Sequence, residues 1–192
     1  MKVIIFACLF AIAFCSPVIE DETETELEDY TINHKLRTIQ EVVAAEGTPG
    51  ASSPPASAAW SVDKAFNQPG YAYGYHTKDT YGNLPVMIWY HFRKGFTPAE
   101  ITFRSNSVAA YVPTKYQFVG TNDEHCNQYS AWDILCEDLR GLKITYRYQT
   151  QRCVVSDFHT KSYSCLGIRV LGTTLDNTPH VGVGNMRFFK KV

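Results

Sequence analysis

The chain has 192 residues, six cysteines, and 18 basic against 19 acidic side chains. Aromatic residues make up 14% and charged residues 19%, which excludes a collagen, a coiled coil and a wholly disordered chain. The length suits one domain of roughly 100–200 residues with a short tail, and the near-zero net charge argues against a protein built mainly to neutralise nucleic acid.

Residues 1–16 read MKVIIFACLFAIAFCS. Lys2 supplies a positive start, Val3 to Phe14 an apolar run, and Ala13 and Cys15 the small residues that precede a cut after Cys15. The pattern predicts a signal peptide over 1–15 and a secreted, extracellular product. The run is shorter than the ~18 apolar residues a membrane span needs. Cleavage removes Cys8 and Cys15 and leaves Cys126, Cys136, Cys153 and Cys165. Four cysteines in an oxidising compartment predict two disulfides with three connectivities. Neighbour pairing, Cys126–Cys136 and Cys153–Cys165, closes two short loops and is favoured. No pair has C-x-x-C spacing, so zinc is a poor reading. No Asn-X-Ser/Thr sequon occurs.

Residues 16–56 precede the expected domain. Within them, 20–29 (EDETETELED) hold seven of the nineteen acids and no base. Such a segment buries too little apolar surface to offset its ordering entropy, which predicts a disordered acidic arm. From Tyr30 onward twelve acids face seventeen bases, a surplus of five positive charges. Ile32, Leu36, Ile39 and Val43 fall at helical spacing and predict a short helix. The stretch 47–59, GTPGASSPPASAA, reads as a linker, with the domain starting near Ser57 and running through 57–192.

From Trp60 the pattern becomes that of β-structure. Runs rich in β-branched and aromatic residues occur at 85–92, 99–105, 111–121, 141–150, 164–173 and 184–192, separated by turn residues. Apolar residues sit two apart in Ile101–Phe103 and Ile168–Val170, as a half-buried strand requires. Val86–Trp89 is continuously apolar, which suits a strand covered on both faces. The expectation is one all-β domain, a sandwich or barrel.

Several of these runs carry a family resemblance. Ala65-Phe66-Asn67, a Gly- and aromatic-rich loop ending Tyr75-His76-Thr77, and Pro85-Val86-Met87-Ile88-Trp89-Tyr90 follow in that order. Pro113 to Thr121, Trp132-Asp133-Ile134-Leu135, Cys165 to Val170 and Met186-Arg187-Phe188-Phe189 complete the series. Their order and spacing resemble the discoidin, or F5/8 type C, domains. The resemblance implies a galactose-binding-like antiparallel jelly-roll β-sandwich with binding loops at one end. It also departs from the family. Asn67 and Gln68 stand where Asp and Gly are usual, and Asn185 lies near where some members carry Glu. An amide is a poorer ligand than a carboxylate for a hard cation. These departures count against calcium binding, and leave Asn67 as the one candidate metal residue and Ca²⁺ as the one candidate cofactor. The bridge that joins the two domain ends in the family is missing.

The stretch 69–83, PGYAYGYHTKDTYGN, is the richest in candidate binding groups. Tyrosine offers a flat apolar face for a sugar ring and a hydroxyl for a hydrogen bond. Tyr73 and Tyr81 are candidates, with His76 as a donor and Asp79 as an acceptor for sugar hydroxyls. Tyr75 is instead expected in the core, in the place of the family's Trp. Arg104 and Asn106 follow a strand and are expected at the same end, where a guanidinium can fork a hydroxyl, carboxylate or phosphate. The fucose-binding signature of the fold is absent. So are the nucleophile elbow, the zinc-protease helix and the phosphate loop, and no enzyme is expected.

These readings describe a secreted carbohydrate-binding protein with a lectin or adhesion role, its partners glycans or glycoproteins. Weak single sites suit clustering or a homo-oligomer. Matrix proteins and anionic lipid surfaces are the rival partners.

Overall fold

The computed structural model describes residues 39–42, 47–66, 74–78, 84–104, 111–141, 149–173 and 180–192. Two antiparallel five-stranded sheets are formed by these residues. The strands are β1 (Ile39–Val42), β2 (Gly47–Ala51), β3 (Tyr75–His76), β4 (Val86–Phe96) and β5 (Pro98–Arg104), then β6 (Pro113–Thr121), β7 (Asp133–Asp138), β8 (Thr150–Val154), β9 (Tyr163–Thr173) and β10 (Gly182–Lys191). One sheet runs β1-β10-β5-β8, with β3 also paired to β10. The other runs β2-β4-β9-β6-β7.

Alternation decides which faces meet. Val86, Ile88, Tyr90 and Phe92 of β4 point inward, with Leu166, Ile168 and Val170 of β9 and Tyr116 and Phe118 of β6. Ile101 and Phe103 of β5 and Met186 and Phe188 of β10 meet them from the facing sheet. Rings interlock across this core. Phe103 lies edge-on to Tyr116 at 5.1 Å, and Phe92 edge-on to Phe188 at 5.2 Å. Each such pair adds about 0.5–1.5 kcal/mol beyond its buried area.

The sheets begin earlier than the start expected near Ser57. Val42 pairs with Phe188, and Gly47–Ala51 lies along β4, so segments read as helix and linker supply two strands. Ile39, expected in a helix, instead pairs across strands, while Ile32, Leu36 and Val43 lie outside the described residues; Pro49 is tolerated because β2 is an edge. Trp89 explains the glycine beside it. A Cβ on Gly50 would sit 2.3 Å from the Trp89 ring, so the indole can lie across the neighbouring strand.

The disulfides are Cys126–Cys165 and Cys136–Cys153. The favoured neighbour pairing is therefore corrected. Cys126 lies in the connection between β6 and β7 and Cys136 within β7, and they face different partners. Cys126 lies on a strap, 122–132, that folds onto the outer face of the second sheet, where Cys165 points outward from β9. Cys136 instead joins β7 to β8 of the other sheet. Trp132 helps hold the strap, with its ring 6.4 Å from Trp89 and its Nε1 donating to the Asn127 carbonyl at 3.0 Å.

Candidate functional site

The register places Arg104, Pro113, Thr173, Gly182 and Val86 at one end of the sandwich. The two-residue strand β3 arrives there against the start of β10, with His76 opposite Gly182. Thr77 locks the approach. Its N–H donates to the Val181 carbonyl at 3.0 Å, and its Oγ1 accepts from the Val181 N–H at 2.8 Å. On the other side the Ala56 N–H donates to the His76 carbonyl at 2.8 Å.

This clamp brings His76 and His180 together across 104 positions of sequence. Their ring centroids are 4.8 Å apart. Tyr111, just ahead of β6, stacks on His76 at 4.7 Å and meets His180 edge-on at 5.0 Å. Trp60 closes the group, edge-on to His76 at 5.5 Å. His180 Nδ1 lies 3.1 Å from the Thr77 carbonyl oxygen, which orients the ring. All four residues are half-buried.

Burial first, and the neighbouring His180 second, together lower the His76 imidazole from 6.5 to about 4. His76 is therefore neutral at physiological pH. Its Nε2 is buried and has no hydrogen-bond partner among the described residues. A neutral imidazole offers one donor and one acceptor. With the Tyr111 phenol beside it, the cluster presents flat apolar faces together with hydrogen-bonding groups suited to hydroxyls.

Of the residues singled out from the sequence, His76 lies in this cluster. Arg104 ends β5 opposite Gly184, on the other side of β10 from His76, and its Nε donates to Thr150 Oγ1 at 3.2 Å. Tyr75 is fully buried, as expected, and its hydroxyl donates to the Ser53 carbonyl. Tyr73, Asp79, Tyr81, Asn106 and Asn67 lie outside the described residues. Trp60, Tyr111 and His180 were not foreseen, because only the β3–β10 pairing and the docking of the 52–56 segment bring them to His76. Among the described residues, His91, Cys126 and Cys165 group within 4.8 Å in a metal-ligand arrangement, but the two sulfurs are bonded to each other.

No family model matches the sequence, and no curated protein matches it. Solved structures do resemble the sandwich. One is the family 32 carbohydrate-binding module of Clostridium perfringens NanJ in complex with galactose, with TM-score 0.60 and 13% identity over 79% of this chain and 99% of that one. A second is an F5/8 type C domain from Bacteroides fragilis, with TM-score 0.60 and 13% identity over 80% of this chain and 97% of that one. A third is chitosan-binding module 2 of a Paenibacillus chitosanase/glucanase in complex with chitotriose, with TM-score 0.57 and 14% identity over 77% of this chain and 98% of that one. Two antiparallel sheets in this order, with such matches over most of the chain, give the protein the F5/8 type C, or discoidin-like, fold.

Proposed function

We propose that the protein is a secreted, non-catalytic carbohydrate-binding protein of lectin type, with its glycan seated at the end of the sandwich that carries His76, Tyr111 and His180. The observation that carries this reading is the half-buried ring cluster with the unpartnered His76 Nε2. Aromatic and imidazole faces can cover the apolar side of a sugar ring, while neutral nitrogens and a phenol hydroxyl take its hydroxyl groups. The printed ligands of similar folds, galactose and chitotriose, agree with a sugar as occupant. Two disulfides support an extracellular setting.

The test is a glycan-array screen of the secreted protein, repeated with Tyr111→Ala and His180→Ala. The expected result is a defined set of bound glycans whose signal falls at least roughly tenfold in both variants, about 1.4 kcal/mol. An array with no bound glycan, or equal binding by both variants, overturns the reading.

A further inference from the structure

A second feature lies on the outer face of the β2-β4-β9-β6-β7 sheet, away from the ring cluster. The strap 122–132 is pinned to this face by Cys126–Cys165 and by the contact of Trp132 with Trp89. Between strap and sheet runs an open groove of about 530 Å³. Gln128 and Tyr129 form its strap wall, and Met87, Gln117, Arg169 and Leu171 line the sheet side. Tyr129 is 87% exposed, a large ring held in solvent at the rim.

The floor is a ladder across three strands. Met87 is opposite Arg169, and Arg169 is opposite Gln117. Arg169 Nε approaches Met87 Sδ at 3.4 Å, and its Nη1 donates to Gln117 Oε1 at 3.3 Å. Gln117 Nε2 donates in turn to Glu137 Oε2 at 2.8 Å, from the next strand. Arg169 is thus half-buried with only neutral groups in direct contact, and no carboxylate pairs with it among the described residues. Glu137 is separated from the guanidinium by the Gln117 amide, which donates to it in place of Arg169. The guanidinium keeps its terminal Nη2 donors and the second Nη1 hydrogen for a further partner. Arg169 lines the groove, and an arginine with donors to spare can fork an oxyanion.

We infer that this groove is a second binding site, for an anionic oligosaccharide whose carboxylate or sulfate meets Arg169 and whose ring faces pack on Tyr129. The parts divide the work. Arg169 selects charge, and Tyr129 supplies a rigid apolar platform at low entropy cost. Gln128, which also lines the groove, brings an amide able to bond ring hydroxyls. An open groove with an exposed aromatic at its rim suits a chain of sugars better than a compact solute. The disulfide-pinned strap holds the wall in place before any ligand arrives, which reduces the ordering cost of binding. The inference stands apart from the ring cluster, since the two sites share no residue.

The experiment titrates the full secreted chain with three probes: a galacturonic acid hexamer, its fully methyl-esterified form, and a heparin hexasaccharide. Binding is read by calorimetry, with Arg169→Gln, Tyr129→Ser and Tyr111→Ala alongside wild type. Binding of at least one anionic probe is expected, weakened roughly tenfold by Arg169→Gln and severalfold by Tyr129→Ser. The methyl ester should bind at least roughly tenfold more weakly than the free acid if carboxylate is the anion. Heparin alone binding assigns the anion as sulfate. Tyr111→Ala should leave these affinities in place while reducing binding of the array glycans, so failure of one site is distinguishable from failure of the other. The inference is overturned if neither anionic probe binds, or if both Arg169→Gln and Tyr129→Ser bind as wild type does. Tyr129 is so exposed that its replacement leaves folding intact, and it therefore tests the groove independently of any loss of fold in Arg169→Gln.

Discussion

Arg152 on β8 donates from Nη2 to Glu100 Oε2 on β5 at 2.8 Å, and the Glu100 side chain is almost fully enclosed. The two residues are not direct cross-strand partners, since Arg152 sits opposite Thr102, so the guanidinium reaches diagonally. Removing a cationic partner from a buried carboxylate is costly. Arg152→Ala should therefore lower unfolding free energy by about 3 kcal/mol, and the double variant Glu100→Met, Arg152→Leu should recover most of that loss. Urea denaturation of the three proteins checks this. A loss below about 1 kcal/mol in the single variant would remove the pair from the account of stability.

The depressed His76 makes stability depend on acid. The unfolded chain takes up this proton near 6.5, whereas the folded protein resists it until about 4. Stability from this group is present above the unfolded value and is lost as pH falls through that interval. With part of the ring open to water, the loss should be about 1–2 kcal/mol. His76→Phe keeps a ring in place and should flatten the slope of stability between those values, whatever it does to the absolute level. Denaturation at a series of pH values provides the slope, and equal slopes in both proteins would refute the assignment.

The two disulfides should contribute differently. Cys126–Cys165 closes a 39-residue separation and Cys136–Cys153 a 17-residue one. In the chain-entropy picture the paired replacements Cys126→Ser, Cys165→Ser cost about 4 kcal/mol, and Cys136→Ser, Cys153→Ser about 3 kcal/mol. Non-reducing peptide mapping tests the connectivity itself, and recovery of a Cys126–Cys136 peptide would contradict it.

Gly167 and Gly172 lie on the same strand and should respond differently to alanine. A Cβ at Gly167 would lie 2.4 Å from the Ile88 carbonyl oxygen, a backbone atom that cannot move aside cheaply. At Gly172 the nearest atom is Lys115 Cβ at 3.4 Å, an ordinary contact. Gly167→Ala should cost roughly 1–3 kcal/mol through overpacking, and Gly172→Ala should fall within about 0.5 kcal/mol of wild type. Thermal unfolding of the two proteins decides between these outcomes.

The long strands were legible because their alternation is strong. Ile101 and Phe103, or Ile168 and Val170, are each buried as their spacing implies. The β1 and β2 strands were not, since GTPGA carries no periodic apolar signal and pairs through its backbone along β4. β3 escaped for another reason: two residues give no pattern at all. That omission concealed the site, because His180 reaches His76 only through the short β3–β10 ladder. His76 alone was visible, marked by its tyrosine-rich neighbourhood. The cysteine pairing was illegible because loop length favours neighbours, whereas the fold turns Cys126 and Cys136 toward different partners.

The bond between Cys136 and Cys153 joins β7 and β8, the last strands of their respective sheets. The same side of the sandwich that would otherwise show two bare edges is thus sewn shut, like the spine of a book. Across from it, β1 and β2 form the fore-edge, held by backbone pairing to β10 and β4. Of the two margins, the one at β7 and β8 is tied covalently, while the one at β1 and β2 rests on backbone pairing alone among the described residues.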